Sequence, residues 1–157
     1  MRKILLILAL IFTMSLVGCS SKSDYKDVSV SSIQKAIESS NLLLEQPLSI
    51  DIIESDYFND VDEKITEGFI IRSAINLRLE DIIVVKSDFE NIDEIYNALS
   101  SYKDNMIIKS FGSGYGSEEN ANISSNTILD KKGNYAYLVS AKNAKEIEEV
   151  ILNLIKK

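Results

Sequence analysis

Four consecutive apolar residues, Ile82-Ile83-Val84-Val85 in the stretch "DIIVVKS", leave an extended segment with no face to give to water. Side chains alternate across a strand, so this run is apolar on both faces and reads as a central strand. The preceding stretch "EGFIIRSAINL" alternates instead. Phe69, Ile71, Ser73, Ile75 and Leu77 fall on one face, and Ile70, Arg72, Ala74, Asn76 and Arg78 on the other. That is the period of a half-buried strand. The fold has to be built around this pair.

Helical spacing lies on either side of them. Ser29, Ser31 and Ser32 offer caps to a segment in which Ile33, Ala36, Ile37, Leu43 and Leu44 recur, with Pro47 closing it, which predicts a helix over about 31–45. "NIDEIYNALSSYKDNM" predicts a second helix. Asn91 is its cap, Asp93 and Glu94 suit its first turn, and Ile92, Ile95, Tyr96, Leu99 and Tyr102 form its stripe. "TILDKKGNYAYLV" predicts a hairpin turning at Lys131-Lys132-Gly133-Asn134, where Gly133 supplies a positive φ. "NAKEIEEVILNLIKK" predicts a final helix capped by Asn143, with Ile147, Val150, Ile151 and Leu154 facing inward. Residues 48–58, "LSIDIIESDYF", suit a short strand and a helical turn equally. The order is helix, two strands, helix, two strands, helix. Adjacent strands favour antiparallel pairing, so the predicted class is α+β: a sheet of about four strands with helices packed on one face, in one domain over 29–157.

The N-terminus has a different character. Arg2 and Lys3 precede an apolar stretch from Ile4 to Val17 broken only by Thr13 and Ser15. It is shorter than the roughly 20 residues of a spanning helix and matches the core of a signal peptide. Leu16-Val17-Gly18-Cys19 then resembles the bacterial lipobox, and Cys19 is the one cysteine of the chain. The resemblance implies transfer of a diacylglyceryl group, with acyl chains such as palmitate, to the Cys19 sulfur, and then cleavage between Gly18 and Cys19 by a dedicated peptidase. Residues 1–18 are then a lipoprotein signal peptide, and 19–28 a polar, lipidated tether, of which Ser20 to Asp27 reaches about 25 Å when extended.

Composition narrows the chemistry. The 157 residues contain no histidine, which removes the commonest general base and metal ligand at neutral pH. A single cysteine allows no disulfide framework and no thiolate cluster. No cofactor and no metal are expected. The formal net charge of −7 becomes −9 once Arg2 and Lys3 are cut away, so anionic lipid headgroups and nucleic acid are poor electrostatic partners.

Four patterns invite a chemical reading, each with a plainer counterpart. Phe111 to Ser117, "FGSGYGS", has glycines suited to a phosphate loop, but no Gly-Lys-Ser/Thr ending follows and Glu118 and Glu119 do. Ser100 to Lys103 and Ser32 to Lys35 match Ser-x-x-Lys without its partner motifs, which leaves solvated helix faces. Asp56, Asp60, Asp62 and Glu63 offer oxygens without EF-hand spacing. Tyr115, Tyr135 and Tyr137 are candidates for a ligand or partner surface, against the alternative that Tyr135 and Tyr137 pack beneath a helix.

The lipobox, "LEDIIVVK", "NIDEIYNAL" and "KKGNYAYLVSA" together resemble a bacterial lipoprotein family, the domain-of-unknown-function family 4358 of Gram-positive bacteria. Asp81 stands where that family usually has glutamate, and Gly114-Tyr115-Gly116 fills a loop that often holds proline. The family has no known catalytic residue, so the resemblance supplies none. The functional expectation is a non-catalytic lipoprotein on the extracytoplasmic face of the cell membrane, binding an envelope protein or ligand. An accessory solute-binding module or a small hydrolase are the alternatives.

Overall fold

A computed structural model describes residues 24–44, 46–74, 78–112 and 118–157, with the side chains of 107–112 excepted. Among them are helices α1 (Val30–Glu38), α2 (Ile92–Gly112), α3 (Glu118–Ser125) and α4 (Ala144–Ile155). The strands are β1 (Pro47–Asp51), β2 (Ile65–Ser73), β3 (Asp81–Ser87), β4 (Ile128–Lys132) and β5 (Tyr135–Ser140). The sheet has the order β1-β2-β3-β5-β4 and every pairing is antiparallel, so the α+β class stands.

"DIIVVKS" is the central strand. Ile82 and Val84 join one core with Phe69, Ile71, Tyr135, Tyr137 and Val139, covered by Val30, Ile33 and Ile37 of α1 and Ile147, Ile151 and Ile155 of α4. Ile83 and Val85 join a second core with Ile70, Ala136 and Leu138, covered by Ile92, Ile95 and Leu99 of α2 and by Ile52 and Phe58. Helices therefore lie on both faces, which corrects the expectation of one. A strand apolar on both sides requires cover on both. Strand adjacency reveals the pairing sense and is silent about which face each connecting helix crosses. The sheet also has five strands where about four were expected, because Pro47 and the first residues of the ambiguous stretch, through Asp51, form an edge strand on β2.

Element ends differ from the expectation where tertiary contacts intervene. Helix α1 stops at Glu38, well before residue 45. The Ser40 hydroxyl donates to the Ile37 carbonyl at 2.6 Å, and Asn41 takes a left-handed φ of 57°. Asparagine tolerates that conformation, and Leu42 and Leu43 still pack on the core from the loop. Ser29 occupies the cap position of α1 without capping it through its side chain. The Glu67 carboxylate from β2 accepts the Val30 N–H at 2.9 Å instead, an anion placed at the positive helix end. Asn143 likewise precedes α4, but its amide donates to the Leu42 carbonyl at 2.8 Å. Gly133 turns the β4–β5 hairpin at φ 60°, as expected. Helix α3 was not anticipated, since "EENANISS" carries no apolar stripe.

The chain from Asp24 to Val28 belongs to the folded domain, although its polarity suggested a tether. The Lys26 N–H donates to the Ile155 carbonyl at 2.6 Å, and the Lys157 N–H to the Asp24 carbonyl at 3.2 Å. The Tyr135 hydroxyl, under β5, donates to the Val28 carbonyl and accepts from the Val28 N–H, each at 2.6 Å. Tyr135→Phe strips both contacts and leaves two backbone groups to be rehydrated. The variant should lose about 1–2 kcal/mol of unfolding free energy by denaturant titration. Faster proteolysis near residues 24–28 should accompany it, and a wild-type curve would show that the segment is not held this way.

These contacts gather at one end of the sheet. There the N-terminal segment meets the end of α4 and the β4–β5 turn. The opposite end carries the β2–β3 connection, α3 and the start of α4, and the sheet between them is about 20 Å long at 3.4 Å per residue.

Candidate functional site

Leu16, Val17, Gly18, Cys19 and Tyr115 lie outside the described residues, and so does most of the glycine-rich stretch. Tyr135 and Tyr137 are fully buried, so they form no ligand or partner surface. The Tyr137 hydroxyl donates to Glu148 at 3.0 Å, and burial together with that carboxylate pushes its pKa well above the usual phenol range. Lys103 donates to the Thr127 carbonyl at 2.9 Å, away from any Ser-x-x-Lys partnership. Asp56, Asp60, Asp62 and Glu63 are exposed, and no metal-holding group of His, Cys, Asp and Glu occurs among the described residues.

Near the N-terminal attachment, the Lys86 ammonium bridges Asp27 at 2.7 Å and Glu67 at 3.1 Å. Burial disfavours its charge, but the two carboxylates more than offset this and raise its pKa. Glu67 also caps α1, so one cluster ties the N-terminal segment, α1 and the central strands together.

The far end of the sheet holds two arrangements that periodicity alone did not reveal. In the first, Arg72 of β2 and Asp81 of β3 are register partners. Arg72 Nη2 donates to Asp81 Oδ1 at 3.0 Å and to the Tyr102 hydroxyl at 3.0 Å, and Nε to Asp81 Oδ1 at 3.2 Å. Its Nη1 donates to the Tyr57 hydroxyl, and the guanidinium carbon stands 4.8 Å from the Tyr57 ring centre. The Tyr102 hydroxyl donates to Asp81 Oδ2 at 2.7 Å. Burial opposes the Arg72 charge, yet Asp81 raises its pKa overall. Burial and then the Asp81 charge push the Tyr102 phenol far up. Every guanidinium nitrogen and both carboxylate oxygens are engaged, so the group closes on itself as a polar clamp over the second core. A sequence signal existed: Arg72 follows Ile70 on its face of the strand, and an acid, Asp81, opens the next strand.

In the second, a cleft of about 280 Å³ is lined by Leu44, Arg78, Leu79, Glu119, Asn120, Ile123 and Lys142. All come from connections or from α3, and they converge only in the fold. Asn120 Oδ1 accepts the Leu79 N–H at 3.0 Å, which fixes the end of the β2–β3 connection to α3. Behind the cleft the buried Glu80 carboxylate accepts the Leu44 N–H at 3.0 and 3.2 Å. Burial raises the Glu80 pKa, the Leu44 bond opposes this, and the Asp81 charge adds to it. Folded Glu80 therefore holds its proton to higher pH than the unfolded chain does. Above the ordinary glutamate range the native state binds more protons, so its stability falls as pH rises through the raised pKa. Glu80→Gln keeps an acceptor for Leu44 and removes the charge. It should match the wild type at low pH and equal or exceed its melting temperature at pH 7. A variant less stable at pH 7 than at pH 4, relative to wild type, would contradict this.

Among the described residues no helix is long and apolar enough to cross a membrane. Comparison with known proteins gives a match over residues 40–141 to the family described as a domain of unknown function (DUF4358), and the chain belongs to that family. The matched span takes in all five strands with α2 and α3, and leaves α1 and α4 outside it. No curated protein and no solved structure matches the chain.

Proposed function

We propose that this member of the DUF4358 family is a lipid-anchored, non-catalytic binding module on the extracytoplasmic face of a bacterial cell membrane. The observation that carries the reading is the Leu16-Val17-Gly18-Cys19 sequence directly behind a short apolar stretch with a basic start. A diacylglyceryl group on Cys19 replaces that stretch as the anchor, at about 0.8 kcal/mol per buried methylene. The acidic mature chain contributes nothing to holding an anionic membrane, so the lipid does the holding.

On this reading the anchor has a direction. Cys19 is five residues from Asp24, at most about 18 Å of extended chain, and Asp24 is bonded to the end of α4. The lipid is thus tied to one end of the sheet, and the Arg72 clamp and the cleft occupy the other, facing away from the bilayer. The absence of histidine and the use of the one cysteine as an attachment point support a binding role over catalysis.

The test is labelling of intact protoplasts with an amine-reactive reagent that cannot cross membranes. Lys142, at the cleft and exposed, should be modified before lysis. Labelling that requires lysis would put the domain on the other side of the membrane and refute the reading.

A further inference from the structure

We infer that the cleft at the distal end of the sheet is a binding site for a small ligand bearing a free carboxylate on a short apolar body. The inference rests on the binding-module reading and specifies its ligand. Its volume of about 280 Å³ equals the liquid volume of roughly nine waters at about 30 Å³ each, the scale of a single amino acid.

The lining has two chemical halves. Leu44, Leu79 and Ile123 are half-buried and give an apolar wall. Arg78 and Lys142, both exposed, also line it. No hydrogen bond or ion pair holds the Arg78 guanidinium among the described residues, in contrast to the fully engaged Arg72. Among the described residues Lys142 pairs with Glu119, at 3.7 Å, with the two side chains 67% and 64% exposed. So loose and wet a pair contributes little and yields readily to a better partner. A planar fork that lines the cleft, with no partner among the described residues, matches a carboxylate. Glu119 lies where it can accept an ammonium group, so an amino acid fits both charges, and an N-blocked acid or a peptide C-terminus fits the cations alone.

The wall is held by backbone contacts to Glu80, which does not line the cleft, and to Asn120, which does. Glu80 fixes the Leu44 backbone and Asn120 fixes that of Leu79, so neither contact has to break for a ligand to enter. Arg78 lies outside both cores, which makes it a safe position to change.

The test uses the full chain in detergent micelles, with amide-resolved NMR and calorimetric titration. The probes are leucine, N-acetyl-leucine, leucinamide, and a tetrapeptide ending in leucine with a free or amidated C-terminus. Saturable shifts at Leu79, Asn120, Ile123 and Lys142 are expected with N-acetyl-leucine and not with leucinamide. The two tetrapeptides separate a free small acid from a chain terminus as the source of the carboxylate. Arg78→Ala should weaken binding by roughly tenfold or more, the loss of one charge-assisted contact. Arg78→Lys should fall between, and both variants should keep the wild-type melting temperature. Equal response to leucinamide, no saturable shift with any acid, or undiminished binding by Arg78→Ala would overturn the assignment. Because the measurement is made in detergent, such a failure leaves anchoring through Cys19 to be judged separately.

Discussion

Arg72→Ala should lower the melting temperature by about 6–12 °C, from a loss of about 3 kcal/mol. The reasoning is one of abandonment. Arg72 and Asp81 side chains are only 23% and 10% exposed, so removing the guanidinium leaves a nearly buried carboxylate with one phenol donor, Tyr102. An orphaned buried charge costs more than the intact pair contributes. Arg72→Lys keeps the charge and loses the fork, so it should recover only part of the loss. The double variant Arg72→Met with Asp81→Leu should be less destabilised than the sum of its single changes, since nothing charged is then left unpaired. Thermal unfolding followed by circular dichroism reads the wild type, these three variants, and Arg72→Met and Asp81→Leu singly. A loss under about 1 kcal/mol for Arg72→Ala would mean that the clamp is ornamental to stability.

Cys19→Ser should abolish acyl incorporation altogether. Serine has no thiolate to accept the diacylglyceryl group, and without that group the dedicated peptidase has no substrate. The variant should therefore incorporate no labelled palmitate and should retain residues 1–18, running larger than the wild type on a gel. Detergent phase separation supplies a second reading, because two acyl chains drive stable partition where one chain is marginal. The folded domain should be untouched, with the same melting temperature, since the described contacts begin at Asp24. Labelled Cys19→Ser would show that lipid sits elsewhere.

How much of this was legible in the chain depends on how locally each feature is encoded. β3 was readable because four β-branched residues in a row admit one environment. The final helix was readable because Ile147 and Ile151 repeat on one face and are buried as that spacing requires. β1 was not. It is an edge strand whose residues stay largely exposed, Leu48 at 48% among them, so no burial pattern was imprinted on it. Helix α3 was missed for a related reason: it buries Ser124 and no apolar stripe. Ser29 and Asn143 stand at the caps of α1 and α4 without capping through their side chains, and the group that satisfies α1 comes from β2, 37 residues away.

The candidate site was the least legible part. Its cleft draws on Leu44, Arg78, Asn120 and Lys142, scattered over about a hundred residues of sequence. No spacing rule links them, and only the antiparallel order of the sheet brings their connections to one end. The tyrosines Tyr135 and Tyr137 drew attention as amphipathic aromatics on one strand face. That face packs beneath α1 and α4, with the hydroxyls bonded to Val28 and Glu148. Alternation reveals that two residues share a face and cannot say which layer covers it.

The central claim is that Cys19 is the mature N-terminus and carries the lipid on which the orientation of the whole domain depends. Intact-mass spectrometry of the protein extracted from its native membrane tests it most directly. Cleavage removes 18 of the 157 residues, so the account predicts a 139-residue chain beginning at Cys19 and heavier than its sequence by a diacylglyceryl group. A chain that begins at any other residue, or a Cys19 with an unmodified thiol, would contradict it.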